Sequence, residues 1–263
     1  NWLLRRFGMS PNAYYSYRKH RKNAYSKRKA FILKRINDIY HGYGGRPGYR
    51  MMQQLLKNEG IELSSQTVRK YMNVELGLKS VTRKAKYHYK KGPDAYAVSE
   101  NVLQREFTAL EHNQKWCIDF TYLFLSNGRK RYNCTIIDLY DRRVVASVNG
   151  RHINTDLAIA AVQKAIERCG RGVTPILHSD RGSQFTSERF VNFCSENSII
   201  QSMSKPGCPY DNSPRERYFN TLKAELINLH SYEDENSLYT AVNTYAYGWY
   251  NNVRHHYYNG GQP

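Results

Sequence analysis

The chain has few cysteines and no long apolar run, and each scarcity argues against a class of protein. Its five cysteines form no CxxC pair and show no metal-type spacing with histidine, which argues against a zinc site or a disulfide framework. Their odd number and scattered positions are typical of reduced thiols in a cytoplasmic protein. No apolar run approaches the roughly 18 residues of a membrane-spanning helix, and no signal peptide precedes the chain. We therefore expect a cytoplasmic location and no membrane partner.

Acidic residues are scarce in only one half of the chain. Residues 1–100 contain 22 Lys and Arg against 6 Asp and Glu, whereas residues 101–263 contain 18 against 16. A basic half beside a near-neutral half indicates a polyanion-binding region attached to a separate catalytic or scaffold region. A basic surface kept only for solubility is the alternative, and the concentration of the excess in one block argues against it.

The basic half has helical patterns. Residues 1–22 predict the end of one helix, a turn at Gly8 and a short helix after Ser10, which is the pattern of a partial helix-turn-helix or of a surface helical hairpin. Residues 23–78 predict three helices, and the short turn between the last two is that of a helix-turn-helix DNA-binding domain. An ordinary three-helix bundle with a charged exterior is the alternative. The candidate DNA-binding residues of this region are Arg46, Arg50, Gln66, Thr67, Arg69 and Lys70.

A basic linker is predicted over residues 79–112, because its first part mixes lysine, arginine and tyrosine without apolar periodicity. Such a segment can follow a phosphate backbone, and Arg83, Lys84 and Lys86 are its candidate contacts. A tether that makes no specific contacts is the rival interpretation.

From residue 113 onwards the pattern changes to strands. Three strands joined by short turns are followed by a helix, a strand, a helix, a strand and further helices. This order predicts an α/β domain over residues 113–263, with an RNase H-like mixed five-stranded sheet flanked by helices.

Three acidic residues are the candidate catalytic and metal-binding groups of this domain. Asp119 lies within the first predicted strand, Asp180 follows the fourth, and Glu216 opens a helix after 35 intervening residues. In the predicted fold the first and fourth strands are neighbours and the last helix packs beside them, so the three carboxylates converge. Carboxylates brought together in this way suit hard cations such as magnesium, and two such ions support displacement at phosphorus. Taken singly, each acid is equally well explained by a structural role.

The helix around Glu216 has two different faces. Glu216, Asn220 and Lys223 are spaced at i, i+4 and i+7, so they lie on one face, where Lys223 is placed to bind a DNA phosphate. A solvated lysine is the plain alternative. The apolar face is predicted to contain Tyr218, Leu222, Leu226 and Leu229.

Several motifs resemble one known family. The segments "WCIDFTY", "HSDRGSQFTS", "CPYDNSPRERYFNTLKAE" and "WYNNVRHHYYNGG" are similar to the integrase-core signatures of bacterial insertion-sequence transposases, in particular the second-reading-frame proteins of the IS-three family. The segment between Tyr43 and Met72 is similar to the family's helix-turn-helix module. The resemblance maps the family's catalytic acids onto Asp119, Asp180 and Glu216. The candidate supporting residues are His178, Ser183, Gln184, Asn212 and Asn220, and structural loop roles are an equal possibility for the first three.

The resemblance implies a DNA transposase that cleaves and joins element ends with two Mg²⁺ or Mn²⁺ ions. It implies double-stranded DNA partners, namely the terminal inverted repeats and the target, and a homo-oligomer assembled on DNA. It also implies a bacterial, nucleoid-associated location and a possible fusion to an upstream reading-frame product. A DNA-binding regulator derived from an inactive transposase is one alternative, and a metal-dependent nuclease of the same fold is the other.

Overall fold

The structure, a computed structural model, describes residues 2–19, 21–81, 99–104, 106–170, 172–204 and 213–263, without the side chains of residues 21, 22 and 213–216. Contacts within the chain divide it into two units, Asn1–Val81 and Thr82–Pro263, and each is described by itself.

The first unit is helical. Its α-helices are α1 (Trp2–Arg6), α2 (Pro11–Arg18), α3 (Arg21–Gly42), α4 (Tyr49–Asn58) and α5 (Ser65–Arg69). The predicted start of α2 is confirmed, with Ser10 as N-cap residue and Pro11 at the first helical position. No helix within the described ranges is both long and apolar enough to cross a membrane.

The core of the first unit joins α3, α4 and α5. Its fully buried side chains include Ile36, Met52, Leu56 and Val68. At the start of α5, the Ser64 hydroxyl accepts a hydrogen bond from the backbone N–H of Thr67 at 3.2 Å. The helix predicted from Ser64 does not stay regular, because after Arg69 it widens into a π-helical turn over Lys70–Glu75.

The second unit is built on one mixed sheet. Its strands are β1 (Lys115–Phe124), β2 (Lys130–Asp138), β3 (Val144–Gly150), β4 (Ile176–Ser179) and β5 (Ile200–Met203). Their spatial order is β3-β2-β1-β4-β5, with β1–β2 and β2–β3 antiparallel and with β1–β4 and β4–β5 parallel. The predicted sheet is confirmed, including the adjacency of the first and fourth strands.

Helices cover both faces of the sheet. They are α6 (Thr155–Cys169), α7 (Ser183–Thr186), α8 (Glu188–Glu196), α9 (Ser213–Leu222) and α10 (Glu235–Asn243). On one face α6 and α8 pack on Trp116 and Ile118 of β1. On the other face α9 and α10 pack on Leu123 of β1 and on Leu125 just beyond it. Because side chains alternate along a strand, the odd-numbered residues of β1 belong to the α9 face.

Part of the segment predicted as a linker packs against the sheet. Leu103 and Ala109 are buried with Cys117 and Leu139 in a small apolar cluster. The backbone N–H of Leu103 donates to the Ser202 hydroxyl at 3.0 Å. These residues therefore cover the lower end of the α9 face of β1, below Asp119.

One detail of the predicted Glu216 helix was wrong. Regular α-helix ends at Leu222 and a π-helical turn follows over Lys223–Ile227. Tyr218, Leu222 and Leu226 are buried as expected, but Leu229 lies beyond the helix and is 40% exposed. The wider π turn shifts the apolar face, so spacing at 100° per residue misplaces the last leucine.

We expect Leu56→Ala to destabilise the first unit by about 2–5 kcal/mol, because it leaves a cavity in a core from which water is excluded. Leu3→Ala is the matched control, since Leu3 is 59% exposed. Urea unfolding of the two variants measures the difference. Equal unfolding midpoints would contradict the description of this core.

Candidate active site

Asp119 lies in the middle of β1, on the face covered by α9. It is half-buried, and its Oδ1 accepts a hydrogen bond from the backbone N–H of Phe120 at 2.8 Å. It pairs across the sheet with Thr135 of β2. Burial and, to a lesser extent, the charge of Asp119 raise the pKa of the Cys134 thiol, the residue next to Thr135. The carboxylate is therefore held by the central strand and close to the core.

Asp180 follows the last residue of β4. Its Oδ1 accepts a hydrogen bond from the backbone N–H of Gly182 at 2.9 Å, which closes a turn. The next residue, Arg181, donates from Nε to the backbone carbonyl of Ser204 at 2.9 Å. This loop is thus fixed both by its own aspartate and by the end of β5.

The sheet register brings the two aspartates to the same level. The parallel pairing of β1 and β4 runs up to Cys117 opposite His178, and Asp119 and Asp180 each lie two residues further along. Neighbouring strands are about 4.8 Å apart. Two carboxylates at that separation repel each other unless a cation or another positive group neutralises them.

Glu216 lies in the first turn of α9, which packs on the face of β1 that contains Asp119. Its side chain is outside the described residues, but that of Tyr218, two positions along, is fully buried. Burial strongly raises the pKa of Tyr218, and its hydroxyl lies near Thr135 without completing a hydrogen bond. Since Thr135 pairs with Asp119, the start of α9 lies close to the first aspartate.

A buried polar ladder next to Asp119 was missed by sequence reasoning. Asn133, Thr135 and Ser147 are each less than 2% exposed. The Thr135 hydroxyl donates to Asn133 Oδ1, and Asn133 Nδ2 donates to the Ser147 hydroxyl at 2.8 Å. The backbone N–H of Ser147 donates to the Tyr247 hydroxyl at 2.7 Å. The signal was available, because Asn133 and Thr135 are alternate polar residues within the otherwise apolar or aromatic stretch 132–137 of β2.

The predicted supporting residues occupy different environments. His178 is buried, and its ring nitrogens contact the Ser202 hydroxyl at 2.9 Å and the Ser204 hydroxyl at 3.3 Å. Ser183 is exposed at the start of α7. The side-chain amide of Gln184 lies against Gly182. A Cβ atom added to Gly182 would lie only 2.2 Å from Gln184 Nε2.

The two predicted asparagines flank the first turn of α9 in sequence. Asn220 is half-buried on α9, one turn beyond Glu216, whereas Asn212 lies outside the described residues.

A separate cluster in the described part of the chain brings together His112, Asp138 and Asp141, with ligand atoms within 4.8 Å of one another. Asp138 is fully buried, and its two oxygens accept backbone N–H groups from Asn113 and Tyr140. Arg143 Nε lies 3.7 Å from Asp141. Backbone donors and a guanidinium already satisfy these carboxylates, so the cluster is explained as a structural one.

The predicted DNA-binding residues of the first unit lie mostly on its surface. Gln66, Arg69 and Lys70 are exposed on or just after α5, and Arg50 is exposed at the start of α4. The Thr67 hydroxyl instead contacts the Ser64 hydroxyl at 2.9 Å in the helix cap. Arg46 is half-buried. Arg83, Lys84 and Lys86 lie outside the described residues.

Comparison with known proteins finds two family matches. The family described as "Integrase core domain" matches residues 109–209, and the one described as "HTH-like domain" matches residues 27–86. A protein named as the InsK transposase of insertion sequence element IS150, from Escherichia coli, is 34% identical over 225 residues, covering 86% of this chain and 78% of that protein. The chain belongs to the IS-three family of insertion-sequence transposases. It is a DNA transposase of the DDE class, a polynucleotidyl transferase, as its sequence motifs predicted.

Other relatives have the same kind of name. The transposase for insertion sequence element IS904 of Lactococcus lactis is 29% identical, and the match covers 87% of this chain and 89% of that one. Among solved structures, the HTLV-2 integrase catalytic core domain, described as being in complex with magnesium, is 21% identical with a TM-score of 0.44. That match covers 58% of the transposase and 94% of the integrase chain.

We expect His178→Ala to destabilise the transposase by roughly 1–3 kcal/mol for each buried hydroxyl that it leaves unpaired. Ser183→Ala, at an exposed neighbouring position, should stay within about 0.5 kcal/mol of the parent. Urea unfolding compares the two. If both variants unfold at the parental midpoint, the contacts of His178 with Ser202 and Ser204 do not stabilise the sheet.

Proposed function

We propose that Asp119, Asp180 and Glu216 are the catalytic acids of this transposase and that together they bind two Mg²⁺ or Mn²⁺ ions. The observation that carries the proposal is the β1–β4 register, which brings Asp119 and Asp180 to one level on neighbouring strands. The packing of α9 on the same face supports the addition of Glu216. Hard divalent cations prefer carboxylate oxygens, and such a set leaves coordination positions for water and phosphate.

The three acids have different tasks in this proposal. Asp119, on the central strand, would be shared between the two ions, while Asp180 and Glu216 would each hold one. When bound, the ions supply an activated attacking oxygen and stabilise the leaving 3′-oxygen during in-line displacement. The protein residues hold this arrangement and provide no covalent nucleophile. In the first step water displaces the DNA 3′-oxygen at the element end. In the second step the freed 3′-hydroxyl attacks a target phosphodiester and displaces another 3′-oxygen.

DNA binding is assigned mainly to the basic half of the chain. The net charge of +16 over residues 1–100 supports this, as do Gln66, Arg69 and Lys70, which are exposed at the second helix of the helix-turn-helix. Arg46, Arg50 and the predicted phosphate contacts Arg83, Lys84 and Lys86 complete the proposed DNA-binding set. The proposed DNA partners are the terminal inverted repeats and the target duplex.

The proposal also covers assembly and location. Joining two element ends to one target requires two active sites close together, so the transposase would act as a homo-oligomer on DNA. A product fused to an upstream reading frame and a nucleoid-associated location are parts of the same proposal.

We expect Asp119→Asn, Asp180→Asn and Glu216→Gln each to abolish both cleavage and joining. Losing a metal ligand removes several kcal/mol of transition-state stabilisation, which corresponds to about 100- to 10,000-fold in rate. Strand transfer into labelled target DNA measures the effect, and a gel-shift assay should show DNA binding near the parental level. A variant that retains parental strand transfer would remove its residue from the metal site. A parent that only hydrolyses ends would indicate a nuclease, and one that only binds them would indicate a regulator.

Lys223 is proposed to bind a phosphate near the scissile bond. Regular α-helix continues to Leu222, so Lys223 follows Glu216 by two turns on the same side of α9. We expect Lys223→Ala to lower strand transfer about 10- to 100-fold, as the loss of one charge-assisted contact predicts. Its effect on total DNA affinity should be smaller, because that affinity is shared among many contacts.

Lys223→Arg should recover part of the activity, since it keeps the charge while changing its shape. Lys130→Ala is the matched control, because Lys130 is exposed on the β1–β2 hairpin. Single-turnover strand transfer and DNA titration compare these variants. Parental joining by Lys223→Ala would identify Lys223 as an ordinary solvated lysine.

A further inference from the structure

A buried carboxylate lies just beyond the C-terminal end of α9. Glu225 lies in the π-helical turn after α9 and is 8% exposed. Its Oε2 accepts hydrogen bonds from the Tyr245 hydroxyl at 2.9 Å and from Trp249 Nε1 at 3.0 Å. Its Oε1 accepts one from Arg254 Nε at 3.0 Å. A buried charge is costly, but this one has three donors, one of them cationic.

These three donors come from the last twenty residues of the sequence. Tyr245 and Trp249 lie in a second π-helical turn, Thr244–Tyr250, which follows α10. Arg254 follows four residues later, within the "WYNNVRHHYYNGG" motif. The metal-ion chemistry proposed above gives this motif no role. In the structure, Trp249 and Arg254 of this motif bind Glu225 just beyond the end of α9. π-helical turns are also frequent at functional sites.

The same end of the chain also contacts the middle of α9. The ring of Tyr250 packs edge-to-face on that of Tyr218, with centroids 4.7 Å apart. The guanidinium of Arg254 lies 5.8 Å from the centroid of Tyr250. Tyr218 is two positions from Glu216 and lies near Thr135, the strand partner of Asp119. We call Tyr245, Trp249, Tyr250 and Arg254 the C-terminal clamp, because they contact the middle of α9 at Tyr218 and the turn just beyond its C-terminal end at Glu225.

The surroundings of the clamp keep Arg254 and Tyr245 protonated. Burial alone lowers the pKa of Arg254, but the neighbouring Glu225 carboxylate, with Tyr245 and Tyr250, gives a net rise above the ordinary value. Burial, followed by the charge of Glu225, strongly raises the pKa of Tyr245, so its hydroxyl stays protonated and able to donate. Arg254 therefore stays protonated and Tyr245 keeps its hydroxyl proton, so both groups remain donors to the Glu225 carboxylate.

We propose that Glu225 is a positioning residue for catalysis: held by the C-terminal clamp, it fixes α9 so that Glu216 reaches the metal ions beside Asp119 and Asp180. This inference rests on the metal-binding role proposed for Glu216. Glu225 itself touches neither metal nor DNA in this scheme. Its effect is geometric, and a displacement of about 1 Å in a catalytic group can cost on the order of 100-fold in rate.

The test is Glu225→Gln, which keeps the shape of the side chain but removes the carboxylate that pairs with the half-buried Arg254. We expect single-turnover strand transfer to fall on the order of 10- to 100-fold. We also expect the Mg²⁺ concentration that gives the half-maximal rate to rise severalfold, because a displaced Glu216 binds metal less well. DNA affinity should stay at the parental level. Tyr245→Phe, which removes one donor and keeps the ring, should shift the Mg²⁺ requirement in the same direction by a smaller factor.

Asp138→Asn is the matched control. Asp138 is also a buried, fully hydrogen-bonded carboxylate of the second unit, but its partners are Asn113 and Tyr140 rather than α9. We expect it to lower the thermal unfolding midpoint while leaving the Mg²⁺ requirement unchanged.

Two outcomes would overturn the proposal. In the first, Glu225→Gln keeps the parental rate and Mg²⁺ requirement. In the second, Asp138→Asn shifts the Mg²⁺ requirement by the same factor at an equal loss of unfolding midpoint, which would reduce the role of Glu225 to general stability. Glu216→Gln separates this inference from its premise. If that variant is inactive while Glu225→Gln behaves as the parent, the metal site stands and the positioning role fails. If Glu216→Gln joins DNA normally, the premise itself fails.

Discussion

The parallel pairing of β1 with β4 is the contact on which the proposed active site depends. Asp119 and Asp180 are 61 positions apart in the sequence, and the Cys117–His178 register brings them to one level. The cost of that placement is electrostatic repulsion between the two carboxylates. A site that collects negative charge in this way is suited to divalent cations and to a polyanionic substrate whose phosphates those cations can bind.

The two faces of the sheet have different roles in supporting these carboxylates. The face under α6 and α8 is apolar and densely packed, with Trp116, Ile118 and Phe190 fully buried. The α9 face includes the polar ladder from Thr135 through Asn133 to Ser147. Each of these buried polar groups needs its partner, so the ladder has few alternative arrangements. A rigid strand under Asp119 favours the precise geometry that phosphoryl transfer requires.

The helix α9, which contains Glu216, is held in place by different interactions from those that fix Asp119 and Asp180. Asp119 and Asp180 are fixed by strand hydrogen bonds and by a turn, whereas α9 meets the sheet mainly through buried side chains such as Tyr218 and Leu222. Apolar packing is not directional and leaves room for sliding and rotation. The hydrogen bonds and the ion pair of Glu225 are directional, and they restrict the position of the π-helical turn that follows α9. The C-terminal clamp thus restricts the position of α9, as the strand register restricts the positions of the two aspartates.

Most of the fold could be predicted from the sequence, because local patterns determine it. The change to strand patterns at residue 113 and the short turns between the first three strands predicted the elements of the second unit in their correct order. The failures lie where local geometry departs from the ideal, as at the π-helical turn Lys223–Ile227, which left Leu229 exposed. Spacing rules assume a constant angle per residue, and a π turn breaks that assumption.

The sequence by itself determined which residues are available to the chemistry: three acids in order, a basic half without matching acids, and a helix with polar and apolar faces. Only the tertiary structure decided which of these residues lie close together. It put Asp119 and Asp180 at one level, turned His178 into a buried partner of Ser202 and Ser204, and joined Glu225 to Arg254. The physical reason is that these contacts join residues 24 to 61 positions apart, where local propensity has no influence and only packing and register set the distance.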